Sequence, residues 1–197
     1  MKLLIARMFA VLAVTVLLGC AGRDFVRPSS DTFKLGQSTY SQVIAQLGEP
    51  RRVGDVMKNG KNIKTITYSY AAYGEPLEAG VVPGRGMSYY FSDDILVGQE
   101  FRSSFKSDHS NFDDKQIDKI VKGSTTRDQV VQLLGKPTAS YVSPMVKTTS
   151  GETIGYNYAT LSGNLFSGLK VFQKALAVSF DATGSVSDIE FSSSDSK

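Results

Sequence analysis

The sequence predicts an α+β protein of two tandem modules, each with one or two short helices packed on a small antiparallel sheet. Three observations predict it. The stretch GQSTYSQVIAQLGEP, Gly36 to Pro50, returns as GSTTRDQVVQLLGKP, Gly123 to Pro137, with the same cap, apolar face and stop. An alternating Ile-x-Tyr-x-Tyr strand returns as well, Ile66–Tyr70 against Ile154–Tyr158. Two hairpin patterns then end in the same pair, Glu100–Phe101 and Glu190–Phe191. Helix, strand and hairpin recurring in one order indicate an internal duplication.

Residues 1–19 stand apart from this pattern. Lys2 and Arg7 form a basic segment ahead of an apolar run, Met8 to Leu18. That length suits the apolar core of a secretory signal peptide and falls short of the ~20 residues that span a bilayer. The run closes on LLGC, Leu17 to Cys20, which resembles the lipobox of bacterial lipoproteins. Cys20 is the only cysteine, and a thiol is the side chain most readily alkylated to a thioether. Cys20 is therefore the predicted lipidation site, carrying palmitate-type acyl chains; one chain holds marginally and several hold firmly. Ala21 follows the cysteine where an aspartate would signal inner-membrane retention, so enterobacterial sorting rules imply the outer membrane. Residues 20–32 read as a lipidated polar tether, whose 12 residues from Ala21 to Thr32 reach ~40 Å when extended.

Removing residues 1–19 takes away two of the 22 Lys and Arg, which leaves 20 against 19 acidic residues. The remaining chain is nearly neutral, and nucleic acid as a partner has no electrostatic support.

The first module is read as residues 33–104. Thr39 and Gln42 form a capping box ahead of a helix whose Tyr40, Val43, Ile44 and Leu47 share one face. Gly48 and Pro50 stop it. TITYSY is a strand, and MSYYFSDDILVGQEF is a hairpin turning at Asp93–Asp94. Residues 105–116 read as a polar linker, with a short helix following around Ile117, Ile120 and Val121. The second module, 117–197, repeats the plan: Thr126 and Gln129 cap a helix that presents Val130, Val131 and Leu134. Gly135 and Pro137 end it. ETIGYNYA is its strand, and LAVSFDATGSVSDIEF a hairpin turning near Ala182–Gly184. GEPLEAGVVPGRG, Gly74 to Gly86, is a Gly/Pro-rich loop, with SGNLFSGLKVF in the corresponding place of the second module.

The pattern G-x-[ST]-[ST]-x-x-Q-V-x-x-x-L-G-x-P, followed by Tyr-x-Tyr and lying behind a lipobox, resembles the SmpA/OmlA family. That family includes BamE-type lipoproteins of the outer-membrane β-barrel assembly machinery. Gly36/Gly123, Leu47/Leu134, Gly48/Gly135 and Pro50/Pro137 carry the resemblance, once per module. Two modules in tandem resemble the β-lactamase-inhibitor-protein architecture, in which a continuous concave sheet clasps another protein. The resemblance implies a membrane-anchored lipoprotein on the periplasmic face of the outer membrane. Its partners would be envelope proteins, the β-barrel assembly machinery among them. The alternative is an inhibitor or a secretion-apparatus lipoprotein that grips a single target. Caps and helix stops preserve a fold and transfer no binding site.

Catalytic apparatus is not legible. His109, the only histidine, lies in the polar linker beside Ser107, Asp108 and Ser110 with no second ligand at metal spacing. No nucleophile elbow, zinc spacing or phosphate loop occurs. The reading is no enzyme, no metal and no cofactor. Asp93 and Asp94 suit a hairpin tip, and Asp113–Asp114 a helix cap. Candidate binding residues are of two kinds. Tyr89 and Tyr90 must point to opposite faces of their strand, which turns one outward as a contact anchor. Arg51 and Arg52, with Lys58, Lys61 and Lys64, form a basic patch suited to anionic lipid headgroups or an acidic partner.

Overall fold

The computed structural model describes residues 22–71, 74–147, 151–164 and 168–196. The signal peptide expected over residues 1–19, with Cys20 and Ala21, lies outside the described residues. Among the described residues there are two eight-residue helices, α1 (Tyr40–Leu47) and α2 (Arg127–Leu134), with a 3-10 helix at Asp114–Lys119. The strands are β1 (Arg52–Lys58), β2 (Lys61–Ala71), β3 (Gly84–Ser92), β4 (Ile95–Ser103), β5 (Ala139–Tyr141), β6 (Thr153–Asn164), β7 (Gly168–Phe180) and β8 (Val186–Ser196). Among the described residues, no helix is long and apolar enough to cross a membrane.

The expected pair of small helix-on-sheet modules is overturned. All eight strands form one antiparallel sheet in simple sequence order, β1 to β8, and the fold is mostly strand. The seam is β5. Gly98, Gln99 and Glu100 of β4 pair with Tyr141, Ser140 and Ala139, and β5 pairs in turn with Gly155, Ile154 and Thr153 of β6. Two separate sheets would each leave a row of unpaired N–H and C=O groups along β4 and β6. A three-residue strand between them pairs with the middle of β4 and the start of β6 and so joins the two halves.

Both helices lie on one face of this sheet, and each covers its own cluster. Phe33, Val43, Ile66, Met87, Tyr89, Phe91, Leu96 and Phe101 pack under α1. Phe112, Ile120, Val130, Leu134, Ile154, Tyr156, Leu176, Val178, Phe180 and Val186 pack under α2. The local geometry of the two helices is alike. Thr39 and Thr126 are N-caps in full capping boxes, closed reciprocally by Gln42 and Gln129. Gly48 and Gly135 follow the helices at φ 77° and 82°, a region where a side chain is strained. Tyr68 Oη donates to the Gly48 carbonyl at 2.8 Å and Tyr156 Oη to the Gly135 carbonyl at 2.9 Å. Each helix stop is thereby tied to the strand beneath. Thr126→Ala removes the acceptor for the Gln129 N–H and is expected to cost about 1 kcal/mol. Urea unfolding would register this as a lower midpoint at unchanged slope, and an unmoved midpoint would show the cap to be idle.

The linker helix proves to be a 3-10 turn capped by Asp113, whose side chain accepts from the Lys115 N–H. Lys174 Nζ reaches up from β7 to the Phe112 carbonyl (2.6 Å) and Asp114 (3.0 Å) and fastens it. Asp114 is held below the usual carboxylate range, chiefly by the hydrogen bond from that ammonium.

Residues 22–32, read from sequence as a tether, lie on the body. Gly22 bridges to Tyr70 at the end of β2. Arg85 Nη1 donates to the Phe25 carbonyl at 3.1 Å. Arg27 lays its guanidinium 4.8 Å over the Phe101 ring and donates to the Pro137 carbonyl at 2.8 Å. One polar strap therefore crosses the helix-bearing face between the two clusters.

Candidate functional site: a polar groove on the helix-free face

On the face away from the helices, residues of β1 to β5 and of β7 line a groove of about 520 Å³. Arg52, Gly54 and Val56 come from β1, Thr65 and Thr67 from β2, and Ser88 and Tyr90 from β3. Glu100, Tyr141 and Ala177 continue the lining from β4, β5 and β7. Five strands lie between β1 and β7, yet the two share one hollow, so the sheet curls strongly toward this side. Met145 and Val146, from the segment after β5, close part of the groove. The Asn59 amide at the β1–β2 turn donates to the Pro144 carbonyl at 2.8 Å and holds that segment in place.

Glu100 is the hub of the floor. Buried itself, it accepts from Tyr90 Oη at 3.2 Å and Tyr141 Oη at 2.9 Å, and it pairs with Arg102. Asn157 Nδ2 donates to Tyr141 Oη at 3.4 Å. Burial, and then the carboxylate alongside, push the Tyr141 phenol well above its ordinary value. Burial followed by Glu100 raises Tyr90 in the same sense. Both phenols are neutral donors at physiological pH. The two rings fit because Gly98 lies beneath them: a Cβ there would come within 2.9 Å of the Tyr141 ring and 3.2 Å of Tyr90. Thr65 Oγ1 faces the same hollow, buried and without a hydrogen-bond partner among the described residues.

The candidate residues named from sequence separate in space. Tyr90 and Arg52 both line the groove. Tyr89 is 0% exposed, edge-on to Phe33 at 5.4 Å, so its ring belongs to the α1 cluster and is out of reach of a partner. Arg51 lies beside a different hollow with Gly22–Val26 and Tyr68, its N–H bonded to the Thr67 carbonyl at 3.0 Å. The basic patch divides likewise: Lys58 borders the groove, while Lys64 Nζ sits 4.6 Å over the Tyr40 ring. Glu100, Tyr141 and Asn157 were not singled out from sequence. Glu100 stood out only as half of the repeated Glu-Phe pair, and the tyrosine that completes its network is 41 positions away.

His109 is exposed in the loop after β4, remote from these groups. Among the described residues, no group of three or more His, Cys, Asp or Glu side chains is placed to hold a metal ion. The groove offers ring edges, hydroxyls, one buried carboxylate and a guanidinium at its mouth, which is chemistry for gripping a surface.

Comparison with known families gives a match over part of the chain. Residues 111–190 match the family model described as the outer membrane protein assembly factor BamE domain. This part of the chain is BamE-like. No curated protein and no solved structure matches. The BamE-like stretch runs from the residue before Phe112 through the 3-10 helix, α2 and β5 to β7, and ends inside β8. It contains Thr126, Gly135, Tyr141, Tyr156 and Asn157. Strands β1 to β4, with Arg52, Tyr90 and Glu100, lie outside it, so the groove is built jointly by the BamE-like stretch and the chain that precedes it.

Proposed function

We propose that this protein is an accessory of outer-membrane protein assembly, anchored by lipid at Cys20, facing the periplasm, and acting by holding another envelope protein. It transforms no substrate in this reading. The BamE-like match over residues 111–190 carries the proposal, because that family is described by its part in outer-membrane protein assembly. The lipobox-like LLGC sequence ahead of the fold supports the anchor. Local likeness of the α1 and α2 regions supports an origin by duplication, with residues 33–104 and 117–197 as the descended units, joined through 105–116 and now sharing a sheet.

The groove is the proposed holding surface, with Tyr90 and Arg52 as contacts and Glu100 fixing the tyrosine. Aromatic and arginine side chains set in a desolvated hollow dominate binding energy at many interfaces. Arg51, on the other side, suits lipid headgroups near the anchor. Photo-crosslinkers placed at Tyr90 and Arg52 in intact cells test this. Covalent capture of a β-barrel assembly subunit is the expected result. Capture of a soluble hydrolase or a secretion subunit alone would replace this reading with the gripping of a different target.

A further inference from the structure

The sheet has two ends, and the strap fixes which of them faces the lipid. Gly22 is bridged to Tyr70, and Cys20 precedes it by only two positions, so the two Cα atoms lie within about 7.6 Å of each other. An anchor at Cys20 thus leaves no free leash. The end of β2 would sit at the depth of the headgroups, and everything level with it would meet the same surface. The inference rests on the proposed lipid anchor.

What lies level with it is in part apolar, beside the exposed Lys106–Glu75 pair. Tyr70 stacks on Phe105, ring centroids 6.1 Å apart, and Phe105 bridges to Pro76 of the β2–β3 connection. That connection continues to the top of β6: Val81 bridges to Ser162, and the Val82 N–H donates to the Leu161 carbonyl at 2.8 Å. Tyr158 Oη, bonded to Glu78 at 2.9 Å, pins the same connection down. Along this rim Val82, Leu161 and Leu169 are exposed, Leu169 by 59%. Beside an acyl anchor such side chains gain by leaving water.

We propose that the rim carrying Val82, Leu161 and Leu169 is a second membrane contact, seated in the lipid surface by the short connection to Cys20. Its occupant is the apolar boundary of the leaflet, and the contact is driven by burial of side chains rather than by charge. The groove opens sideways from this rim, parallel to the membrane.

The test uses the full chain with its own anchor, purified from membranes and reconstituted into phosphatidylcholine vesicles. Leu169→Cys, Val82→Cys and Lys61→Cys each carry a polarity-sensitive fluorophore; Cys20, blocked as a thioether, takes none. Lys61 is nine positions back along β2 from Tyr70, about 30 Å away. Labels at 169 and 82 should shift to the blue and be quenched by a shallow doxyl lipid, unchanged by high salt, while the label at 61 reports water. Protein that floats with the vesicles but shows water at all three positions overturns the rim contact and leaves the anchor standing. Protein that does not float, and takes up no radiolabelled palmitate in cells, overturns the anchor and the rim contact with it.

Discussion

Phe101→Ala is expected to destabilise the protein by about 3–5 kcal/mol, a large part of the 5–15 kcal/mol that separates folded from unfolded states in ordinary domains. The ring is 1% exposed. It pairs across the strand with Met87 and supports the Arg27 guanidinium at 4.8 Å. Its backbone N–H donates to the Thr138 carbonyl at 2.8 Å, beside the seam. Truncation opens a cavity whose walls relax only partly and also takes the platform from under the strap. Two readouts should therefore move together: the urea midpoint falls, and amide exchange rises across residues 22–32. Phe101→Leu, which keeps much of the volume, should cost less on both. A loss under 1 kcal/mol, or a strap whose exchange is unaltered, would show that residues 22–32 are held by something other than this ring.

The helices were legible because everything that makes them is local. A threonine, a glutamine three positions on, an apolar face and a glycine with a following proline all fall within one 15-residue window, and the structure places caps and stops on those residues. The hairpin at Asp93–Asp94 was legible for the same reason; both residues adopt positive φ, 48° and 69°, which Asp tolerates better than most. Strand β1 escaped the reading although Asn59–Gly60, the dipeptide favoured in two-residue hairpin turns, stands directly after it. Its residues are almost all exposed, so no apolar alternation marked it. The end of β6 and the start of β7 fall within SGNLFSGLKVF, which the sequence sets opposite the Gly/Pro-rich loop of the first module.

The architecture was not legible, for a different reason. Whether two helix-and-strand sets form two sheets or one depends on which edges meet, and that is decided by Ala139–Tyr141, three residues with no periodicity to read. The same strand decides the groove. Tyr141 reaches Glu100 only because β5 lies against β4, so the carboxylate and its donors come together from parts of the chain that share no local pattern. Tyr89 and Tyr90 show the limit from the other side. Alternation states that the pair divides between faces; only the positions of the helices decide that Tyr90 faces the groove and Tyr89 the core.

Glu100→Ala is the second large effect, about 2–4 kcal/mol, and it reaches function as well as stability. Removing the carboxylate leaves Tyr90 Oη and Tyr141 Oη without their common acceptor; a buried polar group left unmade costs about 1–3 kcal/mol. Asn157 Nδ2 still donates to Tyr141 Oη, but the phenol's own proton is left without an acceptor. Arg102 is half exposed and returns to water at little cost. Glu100→Gln keeps an acceptor oxygen and the shape, and should fall between the parent and the alanine variant. Tyr90→Phe removes one donor while Glu100 retains Tyr141 and Arg102, so it should leave stability nearly unchanged. Capture efficiency from a crosslinker at Arg52 then separates structure from contact. It should drop in Glu100→Ala, where the Tyr90 ring is no longer fixed, under conditions in which the variant is still folded by circular dichroism. A Glu100→Ala protein as stable as the parent would mean that the floor of the groove is held by packing of the two rings over Gly98, with the carboxylate incidental.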